Sequence, residues 1–288
     1  LPAIAKDPIE RIHLSFLKWN IGVGKKTSNA AVWGDTGRYP LVIELSKQAL
    51  SYFNRLKNMS LNDDETLAKH AFNEQMALDM TWYRRTNALM NLLQSHSDKR
   101  LNFPSQHRAQ LRLDFQHTWN QERRTNRKLQ FYNSIKSSFK QERYIDLSLS
   151  YKELKRLSQF RMSSHKYNIE TGRYGLKQGN ILNRICEYCS TNDKETLSLL
   201  RECPFFEPLI EDENHILTSC PRYSEARQKM KTETRQLTLT ADGLVKIFGD
   251  NLLSRDLAKF MLRCHNTRFP EEEDKEKRNL AQERQRSN

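Results

Sequence analysis

Pro40-Leu41-Val42-Ile43-Glu44-Leu45-Ser46-Lys47-Gln48-Ala49-Leu50-Ser51-Tyr52-Phe53-Asn54-Arg55-Leu56 decides the fold class. Leu41, Leu45, Ala49, Tyr52, Phe53 and Leu56 recur at steps of three and four, the spacing of a buried helical face, and Pro40 suits the start of such a helix. The same reading extends in both directions. Pro8 to Val23 carries Ile9, Ile12, Leu14, Phe16, Leu17 and Ile21 and is stopped by Gly22 and Gly24. Asn62 or Asp63 is positioned to cap a helix running through Leu67, Ala71, Met76, Met80, Tyr83 and Leu89. Pro104 opens another through Leu111, Phe115 and Trp119 toward Phe139, and further helices are expected over 151–162, 241–248 and 254–264. Runs alternating apolar and polar residues, the mark of strands, are scarce.

Composition agrees. In 288 residues there are 9 Gly and 8 Pro, few for a sheet-rich fold with many turns. The expected class is therefore mainly α, a multi-helix region with a small zinc-binding module. The expected divisions are a helical region 1–171, a cysteine-bearing module 172–227, C-terminal helices 228–269 and a disordered charged tail 270–288 that buries too little surface to offset its ordering entropy. No apolar run approaches the roughly 20 residues of a membrane span, and the first residues lack a basic-then-apolar leader, so an intracellular, non-secreted, non-membrane protein is expected, nuclear or cytoplasmic. The start at Leu1 suggests an excerpt of a longer chain.

The net charge of +13 favours polyanionic partners. It is concentrated between Glu122 and Asn180, where 14 Lys and Arg face 5 Asp and Glu, nine of the thirteen excess charges. Arg123, Arg124, Arg127, Lys128, Arg156, Arg161, Lys166 and Arg173 alternate there with Phe131, Tyr132, Phe139, Tyr144, Tyr151, Phe160, Tyr167 and Tyr174. Cations beside aromatics are what a surface needs to track a phosphate backbone and stack bases, so these eight are candidate nucleic-acid contacts. The competing account is a solvated helical face with its aromatics turned inward.

Five cysteines without a secretory leader argue for metal binding or free thiols over a disulfide framework. Cys186-x2-Cys189, then after 25 residues His215-x4-Cys220, supplies four ligands for one Zn²⁺: two thiolates from a tight knuckle and a His and Cys from a helix start. A set of four leaves no position for a reactive water, so the expected role of the zinc is structural. Cys203, in Cys203-Pro204-Phe205, is the alternative to His215 in a four-cysteine site, and Cys264-His265 reads as packing.

Other motifs fail on chemistry. Gly22-Val23-Gly24-Lys25-Lys26-Thr27 has Trp19 where a phosphate loop needs Gly and Lys26 where it needs Ser or Thr, so it reads as a helix stop. Asp63-Asp64 sits where acids cap a helix, and Glu273-Asp274-Lys275 lies in a charge run. A metal-dependent nuclease using Asp212 or Glu213 lacks a second group of carboxylates. No catalytic constellation is present, and no enzyme activity is expected of this chain alone.

Two blocks carry a family resemblance. Pro8-Ile9-Glu10-Arg11-Ile12-His13-Leu14-Ser15-Phe16-Leu17-Lys18-Trp19 with Ser28-Asn29-Ala30-Ala31-Val32-Trp33-Gly34-Asp35-Thr36-Gly37-Arg38-Tyr39-Pro40-Leu41 resembles the region just after the polymerase core of LINE-type non-LTR retrotransposon endonuclease–reverse transcriptase proteins. Phe160-Arg161-Met162-Ser163-Ser164-His165-Lys166-Tyr167, with Cys186-x2-Cys189 and Glu211-Asp212-Glu213-Asn214-His215 to Cys220-Pro221-Arg222-Tyr223, resembles that family's C-terminal zinc knuckle. The resemblance implies helices following the polymerase thumb that clamp template RNA and target DNA during target-primed reverse transcription. It also implies a CCHC zinc site at Cys186, Cys189, His215 and Cys220, with RNA or DNA and the polymerase portion of the parent protein as partners. The polymerase's paired-aspartate motif is missing, so the segment is expected to be non-catalytic. The alternative is a structural or protein-interaction module from a degenerate or domesticated retroelement.

Overall fold

The computed structural model describes residues 6–59, 67–95, 103–172, 181–191, 210–230 and 241–272. Asp63, Asp64, Arg173, Tyr174, Cys203 and the tail from residue 273 lie outside the described residues. Within them the regular structure is helical, with one isolated antiparallel bridge between Ile185 and Ile210. No described helix is long and apolar enough to cross a membrane. The chain divides into two units, the first made of the residues through Leu14 with Arg38–Glu122, the second of Ser15–Gly37 with the residues from Arg123 onward.

The first unit is centred on α3 (Leu41–Asn58), α4 (Leu67–Ala77) and α5 (Thr81–Ser95). Leu50, Phe53, Leu56 and Phe72 form its core, with Phe53 and Phe72 edge to face at 5.4 Å. The apolar face of α3 is rotated from the expected one: Ile43 and Leu50 are buried, whereas Leu45 and Tyr52 are exposed. A single helix was expected over Leu67 to Leu89. The chain instead turns at Leu78–Met80, with Asp79 in the left-handed region at φ 44°, so two helices result. Asp7 caps α1 (Pro8–Asn20) through the Ile9 amide, and the buried Glu10 accepts from the Leu41 amide at 2.7 Å, satisfying a donor at the start of α3.

The second unit contains α2 (Asn29–Thr36), α7 (Gln130–Ile135), α8 (Tyr151–Arg161), α9 (Asn168–Thr171), α10 (Glu187–Thr191), α11 (Glu213–Thr218), α12 (Ser224–Gln228), α13 (Ala241–Gly249) and α14 (Asn251–Arg268). Helix α6 spans Phe103–Thr125, its residues through Glu122 belonging to the first unit, and stops short of the expected extension to Phe139. Ser150 caps α8 in a reciprocal box with Glu153. Helix α8 packs broadly on α14, and Leu157, Phe160, Leu257, Phe260 and Met261 share one core with Leu244, Ile247 and Phe248 of α13.

The expected boundary near residue 172 is not where this core ends. Cys186, Ile216, Leu217, Cys220 and Tyr223 join the same cluster as Phe160, Tyr167 and Cys264. The described residues of the cysteine-bearing segment thus share a core with α8 and α14.

Helix α2 is buried from Ala30 to Thr36. Its Asp35 is fully buried against Arg161 of α8, with Nε to Oδ2 at 2.9 Å and Nη2 to Oδ1 at 3.2 Å, and it accepts from Tyr144 Oη at 2.8 Å. Arg161 also meets Glu142 at 3.3 Å and lies over the Phe248 ring at 3.9 Å, while Glu142 pairs with Lys136. Burial pushes the Asp35 carboxyl up, but the charge and hydrogen bonds of Arg161 outweigh it and hold the group below the usual carboxylate range.

Candidate metal centre

Two short helices bring the four expected ligands together. Cys186 precedes α10 and Cys189 lies within it, so x2 spacing places both sulfurs on one turn. The Ile185–Ile210 bridge and the Glu211 amide bonded to the Arg184 carbonyl at 2.8 Å hold this turn beside the start of α11. There Asp212 is the N-cap, accepting from the His215 amide at 2.7 Å. The Cys220 amide bonds back to the His215 carbonyl at 2.9 Å, which ends the helix and returns Cys220 to the side of His215.

Cys186 and Cys220 are buried and His215 nearly so, and one ligand atom from each of the four residues lies within 4.8 Å of all the others. The sulfurs of Cys186 and Cys220 are 3.7 Å apart, those of Cys189 and Cys220 3.9 Å, and Cys189 Sγ is 3.5 Å from His215 Nε2. Zn–S bonds of about 2.3 Å and Zn–N bonds of about 2.0–2.1 Å at tetrahedral angles give edges of about 3.8 Å between sulfurs and about 3.6 Å from sulfur to nitrogen. The donor set is thus close enough to hold a metal ion, and these three distances are compatible with zinc. A disulfide needs sulfurs about 2.05 Å apart.

The surroundings suit a tetrahedral ion. Ser219 Oγ lies 3.1 Å from His215 Nδ1, which orients the ring so that Nε2 faces the sulfurs. Arg227 donates to the carbonyls of Cys220 and Ile216, fixing the backbone that carries Cys220. The Cys186 thiol is pulled down to about 3, first by its hydrogen bond with Cys220, whereas burial and the Cys186 charge push Cys189 up to about 11. Its bond to Cys186 and burial push Cys220 up as well. Packing the three sulfurs together thus favours the thiolate at Cys186 and opposes it at Cys189 and Cys220, whereas a divalent cation would let all three ionise.

Sequence reading missed the acids that support this site. Glu211 is buried, accepts from the Asn168 amide at 2.9 Å and meets Arg268 at 3.1 Å. Glu213 is held by Ser163 at 2.7 Å and His165 at 3.0 Å, hydrogen bonds and charge that outweigh burial and lower its carboxyl. Each carboxylate flanking the ligand helix therefore has a local structural task. Their signal was present: Glu211-Asp212-Glu213 and Ser163, His165 belong to the same resemblance block.

The eight expected nucleic-acid contacts separate. Arg123 is buried and donates to Asn133 and to the Lys136 and Ser137 carbonyls. Arg156 is buried and bonds Gln159, and Arg161 is wholly inside with Asp35, so these three side chains turn into the fold. Lys128 pairs with Glu170 at 3.2 Å, and Lys166, although exposed, pairs with Glu272. Arg124 and Arg127 are exposed, and Arg173 is outside the described residues. Tyr132, Tyr144, Phe160 and Tyr167 are buried, so four of the eight interleaved aromatics serve the core, while Tyr151 is exposed. Comparison with protein-family models, curated proteins and solved structures finds no match in any of the three.

Proposed function

We propose that this chain is a nucleic-acid-binding accessory segment of a LINE-type retroelement reverse transcriptase, non-catalytic by itself and organised by a structural zinc ion. The observation that carries the reading is the Cys186, Cys189, His215, Cys220 set, whose edges suit tetrahedral zinc and leave no ligand position vacant for water. Bound zinc would supply cross-linking and charge compensation. Cys186 would hold it from just before α10 and Cys189 from within it, and His215 and Cys220 from α11 and its end.

The pairing of Asp35 with Arg161 supports the family reading, because it joins the two sequence blocks that carry the resemblance. The excess positive charge supports a polyanionic partner, with template RNA or target DNA clamped by the exposed cations and the polymerase portion docked elsewhere on the chain. The inward placement of Arg123, Arg156 and Arg161 favours a second reading, a structural or protein-interaction module whose basic segment serves its own core.

Binding of the zinc-loaded chain to labelled RNA and DNA at increasing KCl separates the two. Micromolar or tighter affinity that falls steeply with salt is expected for the first. Absence of binding even at low salt leaves the second.

A further inference from the structure

We infer that the end of α1 and the turn after it form a stacking site for single-stranded nucleic acid, an unpaired base lying on Trp19 and Phe16 and the adjoining phosphates meeting Lys18, Lys25 and Lys26. This deepens the nucleic-acid reading above and rests on it. Helix α1 turns Leu17 inward and leaves Phe16 58% and Trp19 70% exposed, with ring centroids 6.2 Å apart and planes 34° from parallel. The remaining tryptophans with described burial are less open: Trp33 and Trp119 are fully buried and Trp82 is 37% exposed. Two large rings kept side by side in water mark a contact surface.

The platform is rigid. Gly22, at φ 70°, ends the helix with its amide on the Trp19 carbonyl, and a Cβ there would fall 2.7 Å from Lys155 Cβ. Gln159 Nε2 donates to the Gly22 carbonyl at 3.0 Å, Ser164 Oγ meets Thr27 Oγ1 at 2.5 Å, and Lys18 Nζ donates to the Lys25 carbonyl at 2.9 Å. The turn is thereby folded back on the last turn of α1, with Lys25 and Lys26 exposed on it. The Gly22–Thr27 stretch that fails as a phosphate loop thus becomes a clamped turn that offers cations.

Charge complementarity selects the occupant. From Arg11 to Gly34 the chain carries Arg11, Lys18, Lys25 and Lys26 and no Asp or Glu. Burial, and then the charge of Lys128, lower Lys18; Lys128 is itself paired with Glu170 at 3.2 Å, so the phosphates are left to Lys18, Lys25 and Lys26. A lysine at a helix C-terminus would be explained by the helix dipole alone, but that does not account for two exposed rings beside it. Two exposed rings on a stretch whose charged residues are all cations suit a polyanion with unpaired bases better than an apolar protein helix.

The test is anisotropy of labelled 12-mer oligo(U) and oligo(dT) against the zinc-loaded chain at several KCl concentrations. Trp19→Ala should weaken binding about tenfold, the order of one lost base–aromatic stack, with the salt slope unchanged. Trp19→Tyr should stay within about twofold of wild type, because any aromatic face serves. Lys25→Glu with Lys26→Glu should flatten the log–log salt slope by about 1.4, some 0.7 for each phosphate contact on a single strand. Both rings are exposed, so the melting temperature should stay at the wild-type value in every variant. If wild type binds with steep salt dependence and Trp19→Ala binds equally well, the stacking site is overturned while the nucleic-acid function stands. If Trp19→Ala leaves binding intact but shifts sedimentation toward a smaller species, the surface is a protein interface and the proposal falls. If wild type binds no single strand, both readings fall.

Discussion

Two buried polar clusters in the second unit are built on opposite terms. Asp35 and Arg161 neutralise each other, with a hydrogen bond from Tyr144 and the opposite charges of Glu142 and Lys136 beside them, so the chain supplies every charge this cluster needs. Cys186, Cys189 and Cys220 bring three acidic thiols and His215 to one point, where burial and then the Cys186 charge push Cys189 up. The first cluster closes with the fold. The second gathers donors close enough to hold a cation from outside, and the contrast teaches which of the two clusters to test as a binding site.

The largest effect should come from the cluster that depends on an external ion. Elemental mass spectrometry of the purified chain is expected to give one zinc per molecule, with loss of stoichiometric zinc in Cys220→Ser and in His215→Ala. Structural zinc contributes on the order of 10–16 kcal/mol of apparent binding energy in zinc-finger peptides. Even a third of that lowers the melting temperature by roughly 10–20 °C in a unit of this size. A zinc-free chain that melts at the same temperature as the loaded one would break the comparison, since both clusters would then be self-sufficient.

Next in size is the self-closed pair. Arg161→Ala leaves Asp35 buried without its partner and should cost about 3–5 kcal/mol in urea denaturation of the loaded chain. Asp35→Asn combined with Arg161→Met keeps an acceptor for Tyr144 and removes both charges, so it should recover more than half of that loss. A double variant no better than the single would mean that the ionic pair itself, and not the avoidance of an unpaired charge, holds α2 on α8.

Lowering the pH should pull the two clusters apart. Asp35 titrates below its unfolded value of about 3.9, so its contribution is complete above that pH and is lost only as the pH falls through the lower folded value. Protons compete with the metal for the thiolates and for His215, so zinc should leave earlier, near pH 5. Between about pH 5 and pH 4, a chromogenic chelator should report released zinc while near-ultraviolet circular dichroism from the buried Trp33, two residues from Asp35, is retained. Simultaneous loss of both signals would show that the metal supports the whole unit, consistent with the core shared by Cys186, Cys220 and Tyr144.

The same contrast explains what could be read beforehand. The metal set was legible because its geometry is local: x2 within one turn of α10 and x4 across a helical turn and its cap fix the ligands in pairs. The Asp35–Arg161 pair was not, because its partners stand 126 positions apart and neither spacing nor charge runs announce such a contact. Arg161 was accordingly placed among the surface cations. Helix α2 was missed because a segment buried on all sides has no amphipathic period. The period of α1 was seen, but its face was misassigned: Ile9, Ile12 and Phe16 fit a helix equally well whether they meet a core or water, and here they meet water.

The smallest effects separate the ligands from the groups that hold them. Ser219→Ala removes the group beside His215 Nδ1 and should weaken zinc about tenfold, while the stoichiometry at saturating metal stays at one. Asp212→Ala deletes the cap over the His215 amide and should cost about 1 kcal/mol, whereas Asp212→Asn keeps an oxygen acceptor and should lose only part of it. That last pair has a second use. As a cap, Asp212 is replaceable by Asn, but as a metal-binding acid of a nuclease it would not be. Metal-dependent cleavage of labelled DNA or RNA present in wild type and abolished in a normally folded Asp212→Asn chain would therefore turn this carboxylate from scaffold into catalyst. Equal inactivity of the two, with the cap's stability largely kept, is the expected result.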